Sequence, residues 1–156
     1  MGKKRKNLFI RLLNFWPPFL GAGIRMTHLS NDYRHVRVEM PLTRLNKNYV
    51  GTHYGGSLYS MCDPFFMLIL IENLGSEYIV WDKAATIRFK RPGRGRVHAD
   101  FSISEEVIHQ IKQDLNPGGK IEKTFTVQVK DREDQVIAEV EKLLYIKRKE
   151  LKDSNT

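Results

Sequence analysis

One cysteine, Cys62, stands among 156 residues. An intramolecular disulfide is therefore excluded, and a reducing compartment fits. Metal-ligand spacing is also lacking: His28, His35, His53, His98 and His109 are scattered and have one thiol between them. No metal and no cofactor are expected. Long apolar runs are missing too, since a membrane span needs roughly 20 such residues. The best window, 58–74, contains Asp63, Pro64, Glu72 and Asn73 and reads as a core helix. A secretory leader is not expected, because Arg11 and Asn14 interrupt the apolar stretch after the basic head and Pro17-Pro18 stands where a cleavage site would fall. Lys6 breaks the myristoylation pattern. The expected setting is cytoplasmic, without integral membrane association.

Negative charge is scarce: 18 acidic residues face 26 Lys and Arg, a net charge of +8. Anionic partners are favoured. Much of the excess lies in Lys3–Lys6, in Arg88-Phe-Lys-Arg-Pro-Gly-Arg-Gly-Arg96 and in Lys147-Arg-Lys149. Basic patches with nearby aromatics are weak signals for nucleic acid without a recognised module, and no nucleic-acid partner is expected.

The length and the 41% hydrophobic content suit one domain. Residues 1–15 read as a basic segment with a short helix, 16–149 as the domain and 150–156 as a tail. Apolar spacing predicts an amphipathic helix over 7–16, ended by Pro17-Pro18, which packs on the domain or lies on an anionic surface. Residues 34–40 alternate as a half-buried strand. A helix apolar all round is predicted over 57–74, kinked at Pro64 and stopped by Gly75. Four strands follow at 78–90, 96–107, 121–130 and 136–147, with a loop at 115–119 and a hairpin turn at Asp131–Asp134. This order is an α+β organisation, an antiparallel sheet wrapped around a central helix.

Within the apolar helix one carboxylate stands out. Burying an unpaired Asp63 is costly, so it needs a hydrogen-bond partner, a raised pKa or an opening to a site. Ahead of it, Gly55 and Gly56 open the helix, where orphan backbone N–H groups favour developing negative charge. The simpler alternatives are a structural acid satisfied by nearby N–H groups and glycines that permit tight packing. Cys62 is expected to be an inert core residue. On the strand at 78–90, Asp82 and Lys83 fall on opposite faces, so one faces inward unless a bulge intervenes. They read either as structural ion-pairing residues at the strand start or, for Asp82, as an assistant to Asp63.

The Gly-Gly turn with Asp seven residues on resembles the hotdog fold of acyl-thioester hydrolases. In the phenylacetate-type branch an Asn stands six residues before a His-Gly-Gly triplet; here those positions hold Asn48 and Tyr54-Gly55-Gly56. Tyr54 replaces the His, and His53 stands one residue earlier. Asp82, ten residues before Pro92, stands where related hydrolases often have Ser or Thr. The blocks Pro18–Ile24, Gly51–Leu58, Asp63-Pro64 and Val80–Lys83 are similar to an uncharacterised bacterial hotdog family described as tetrameric acyl-CoA thioesterase-like, over residues 16–149.

The resemblance implies a homodimer assembling to a homotetramer, with the site formed across a dimer interface. It implies Asp63 as base or nucleophile, Asn48 as the group that orients water or carbonyl, and Gly55 and Gly56 as oxyanion donors, with Asp82 nearby. His53, Tyr54, Arg88, Lys90, Arg91 and Arg94 are the substrate-binding candidates, the basic ones for coenzyme A phosphates. A hotdog domain that holds an acyl or aromatic ligand without turnover is the alternative.

Overall fold

Alternating apolar residues build six antiparallel strands among the described residues of the computed structural model, which covers 12–116 and 118–149. They are β1 (Arg25–Leu29), β2 (His35–Met40), β3 (Tyr78–Phe89), β4 (Val97–Ser102), β5 (Lys120–Lys130) and β6 (Val136–Arg148). The sheet order is β1-β2-β4-β5-β6-β3. The chain therefore leaves β2 near one edge and re-enters at the opposite edge. The connection crosses the sheet as two helices, α2 (Gly55–Ser60) and α3 (Phe65–Leu74). A sheet wrapped on a central helical segment is the hotdog arrangement that the resemblance implies.

The core is aromatic where helix meets sheet. Phe65 and Phe66 pack on Phe101 with ring centroids 5.0 and 5.2 Å apart, and Phe66 stacks on Phe125 at 5.1 Å. Such pairs add about 0.5–1.5 kcal/mol beyond area burial. Val36, Val38 and Met40 of β2, and Val140, Leu144 and Ile146 of β6, are buried on the same side.

Several sequence expectations are corrected. Pro17-Pro18 follows the end of the helical residues 12–14 as expected, but it also starts a helix that was not expected: α1 (Pro17–Ala22) carries proline in its first turn, where the missing N–H has no intrahelical acceptor. Gly23 closes it at φ 72°. Residues 12–14 are helical, while the rest of the helix expected from residue 7, the Lys3–Lys6 cluster and the tail 150–156 lie outside the described residues. The central helix is interrupted, not merely kinked: Cys62 N–H donates to the Tyr59 carbonyl, and α3 restarts with Leu68 N–H on the Pro64 carbonyl. Pro64 has no N–H to extend α2. The strand expected over 96–107 stops at Ser102, because Ser104 caps a further helix, α4 (Glu105–Asp114), by accepting from Val107 N–H. β1 was not anticipated. The turn at Asp131–Asp134 is as expected, with Asp131 N–H bonded to the Gln135 carbonyl, and the loop at 115–119 is present apart from Pro117, which is outside the described residues.

Candidate functional site

The loop between β2 and α2 is shaped by its amides. Asn48 accepts from Thr52 N–H and donates to Thr52 Oγ1 at 2.9 Å and to the His53 carbonyl at 3.2 Å. Its carboxamide is thus engaged in its own turn. His53 is 3% exposed and holds the basic loop after β3: its N–H donates to the Gly93 carbonyl, and its Nε2 to the Gly95 carbonyl at 2.8 Å. The second bond puts the ring hydrogen on Nε2 in the neutral form. Nδ1 is then a buried acceptor with no partner among the described residues. Burial lowers the His53 pKa, and the Gly95 bond only partly opposes that.

Asn48, Thr52, His53, Gly55, Leu58, Phe89 and residues 90–94 surround an open cleft of about 530 Å³. Gly55 lies under the Phe89 ring so closely that a Cβ there would stand 2.9 Å from Cζ, and a Cβ at Gly56 would overlap the Tyr54 ring. Both glycines let an aromatic ring lie close against the helix entrance, which a side chain there would push aside. Their N–H groups precede the first intrahelical bonds and have no acceptor among the described residues. Lys90, Arg91 and Arg94 line the cleft. Arg88 does not; it pairs with Glu141 at 2.9 Å. Arg96 likewise pairs with Glu39. Tyr54 is exposed at the helix N-cap and, like Gly56, Asp63 and Asp82, is not part of the cleft lining.

Asp63 sits in the break between α2 and α3, its side chain 45% exposed. Its Oδ1 accepts from the Tyr59 hydroxyl at 2.8 Å and from Lys142 Nζ at 2.8 Å. Lys142, on β6, is 1% exposed, and its ammonium also donates to Tyr59 Oη at 3.2 Å and lies 3.2 Å from Asp82 Oδ1. Burial works to discharge Lys142, but the bonds to Asp63 and Tyr59 and the two carboxylate charges outweigh it and raise its pKa. Asp82 moves up from the ordinary carboxylate range because its burial exceeds the help from Lys142. Burial and the bond to Asp63 raise Tyr59, and burial raises the Cys62 thiol far beyond neutrality, as an inert core cysteine requires.

Asp82 faces inward in alternation with buried Tyr78 and Val80, and Lys83 outward, with the register slip falling just after Asp82. Lys83 pairs with Glu122, so the two neighbours take separate partners. Lys142 was missed in the sequence. Its signal was there: on β6 it falls in phase with buried Val140, Leu144 and Ile146, a charge in a core position.

The sequence model of a family described as a domain of unknown function, DUF4442, matches residues 5–146. No curated protein matches the chain. Among solved structures, PA5026 of Pseudomonas aeruginosa, designated a protein of unknown function and probable thioesterase, aligns with a TM-score of 0.83 at 25% identity, covering 92% of this chain and 95% of that one. Thioesterase HI1161 of Haemophilus influenzae aligns at 0.69 and 15% identity over 96% and 94% of the two chains. The PaaI protein of the Escherichia coli phenylacetic acid degradation operon aligns at 0.63 and 17% identity over 92% and 91%. The last two, at their identities, speak for the fold alone.

Proposed function

Because the chain belongs to the family described as a domain of unknown function, DUF4442, and has the hotdog fold of thioesterase-type proteins, we propose that it hydrolyses acyl-CoA or related thioesters. The observation that carries this reading is Asp63. Its Oδ1 is held by two donors, while Oδ2 has no partner among the described residues and stands at a half-exposed break in the central helix. Residues 16–149 act as one domain, and the reaction takes place in the cytoplasm.

Asp63 Oδ2 takes a proton from water as the water oxygen bonds to the thioester carbon. The resulting oxyanion is received by the unpaired N–H groups of Gly55 and Gly56. The C–S bond then breaks, and the proton passes from Asp63 to the leaving thiolate. Carboxylic acid and thiol are released, and the carboxylate is regenerated. Asn48 braces the loop through its turn, with Asp82 behind Asp63. Lys90, Arg91 and Arg94 line the cleft and pair with no carboxylate among the described residues, which suits coenzyme phosphates. His53 anchors their loop.

Asp63 is not among the residues that line the cleft, which suits a site that a second copy completes. β3 is an edge strand on which Ala84, Ala85 and Thr86 are all exposed. Antiparallel pairing of two such edges would bring the Asp82 end of one strand toward the Phe89 end of the other, where Phe89 bounds the cleft. The Asp63 cluster of one protomer then serves the cleft of the other, and dimers associate further to a tetramer.

An acyl-CoA panel with free-thiol detection is the test. Asp63→Asn should lower kcat by about 10²-fold or more while the variant stays folded; unchanged turnover would refute Asp63 as base. A second reading, ligand binding without turnover, is favoured by Tyr54 in place of His and by the Asn48 carboxamide being engaged in its turn. Acyl-CoA binding with no hydrolysis across the panel would establish it.

A further inference from the structure

Lys142 is a buried charged residue that the hydrolytic scheme above does not use. A lysine at a core position is costly unless its charge and its three donors are satisfied. Two oxygens accept hydrogen bonds from its ammonium and a third lies in charge contact with it, from three elements. Asp63 Oδ1 comes from the break after α2, Tyr59 Oη from α2 itself and Asp82 Oδ1 from β3, at 2.8, 3.2 and 3.2 Å. The ammonium also lies 5.2 Å from the Tyr59 ring centroid. The single Tyr59 hydroxyl hydrogen points to Asp63, so the Lys142–Tyr59 bond is donated by the lysine.

Two consequences follow from this geometry. Asp63 Oδ1 is held by two donors from different elements, which fixes the rotation of the carboxylate and leaves Oδ2 as its working oxygen. One cation also serves two carboxylates, and the two contacts are unequal. Asp82 Oδ1 lies 3.2 Å from the ammonium but outside good hydrogen-bond alignment, so its contact is the weaker of the two. Besides these groups, the ionisable neighbour of Asp63 is the thiol of Cys62, neutral in its burial.

We propose that Lys142, Tyr59 and Asp82 form a positioning device in which phenol and ammonium aim the Asp63 carboxylate while Asp82, by drawing on the same ammonium, sets how basic that carboxylate is. This rests on the reading of Asp63 as the base. It assigns positioning roles to Lys142 and Tyr59, and it makes the acid at position 82 part of a balance in which one cation is shared by two carboxylates.

The device predicts opposite responses. Asp82→Asn leaves the ammonium to Asp63 alone, and the acid limb of the kcat/KM profile moves to lower pH. Lys142→Met leaves two carboxylates facing each other, and the limb moves to higher pH. Because Asp63 is half exposed, each shift is about one unit, a tenfold gain and a tenfold loss of kcat/KM on that limb. Tyr59→Phe lowers kcat with KM little changed. A purely structural role would alter Tm and leave the limbs where they were.

The same variants are followed by carbon-13 NMR titration of the Asp63 carboxyl, which needs no turnover. Opposite displacements of that titration support the device. Coincident titrations in folded Asp82→Asn and Lys142→Met overturn it, and if Lys142→Met does not fold, Asp82→Asn alone decides. Absence of acyl-CoA hydrolysis by the wild-type protein with displaced titrations would sink the hydrolase reading and leave the coupling standing.

Discussion

Asn46 is buried, and its carboxamide binds three backbone groups: it donates to the Ala22 carbonyl at 2.7 Å and the Pro41 carbonyl at 2.8 Å, and accepts from Thr43 N–H at 2.7 Å. It thereby ties α1 and the end of β2 to the loop that precedes the cleft. Asn46→Ala should cost about 2–4 kcal/mol, since it leaves buried carbonyls unpaired, and urea unfolding measures it. Asp82 makes a prediction of the opposite sign. Its folded pKa lies above the unfolded value, so the folded chain favours the proton. The stability it contributes is present below the unfolded carboxylate pKa, about 4, and is lost as pH rises through the folded value. Asp82→Asn should therefore melt higher than wild type at pH 7, and the two should converge near about pH 4. A melting series across that range checks the sign. At this scale Asp63 and the glycine pair were legible as residue types in an unusual place. Lys142 was legible only by its phase on β6.

At the scale of elements, proline and serine decided what hydrophobic periodicity left open. Pro17-Pro18 punctuates a helical pattern, but the same pair that blocks a helix interior suits a helix start, and α1 begins there. Pro64 separates α2 from α3 and so delivers Asp63 to a turn, where its carboxylate reaches β6 and β3. Ser104 starts α4 after β4; Val107, Ile108 and Ile111 satisfy a helical face that an alternating reading mistook for strand. Ser104→Ala should cost about 1 kcal/mol through loss of the cap. The corresponding fall in Tm is the measurement, with the cleft and its basic loop unaffected.

For the whole molecule, β3 is one of the sheet's two edges, β1 being the other. An edge strand with small residues exposed on both faces is a template for pairing, and Trp81 and Phe89 leave large apolar area beside it. On the proposed pairing of two β3 edges, Ala85→Lys should halve the mass measured by sedimentation or native mass spectrometry, because a charge on the edge opposes strand pairing. Hydrolysis should fall with assembly if the site needs Asp63 from one copy and the cleft from another. Equal activity of a monomeric variant would place the whole reaction within one chain. Steep loss of acyl-CoA affinity with salt should accompany the free cations of the cleft, and the slope should fall in Arg94→Ala.

By itself the sequence determined the class of fold, since alternation, apolar helix and turn residues are local and follow the period of the backbone. It also determined which groups are chemically out of place, above all Asp63. Only the tertiary structure decided which charges are shared. Lys142 lies 79 residues from Asp63 along the chain and 2.8 Å from it in space, and that distance is set by which strands neighbour one another, something no local pattern encodes.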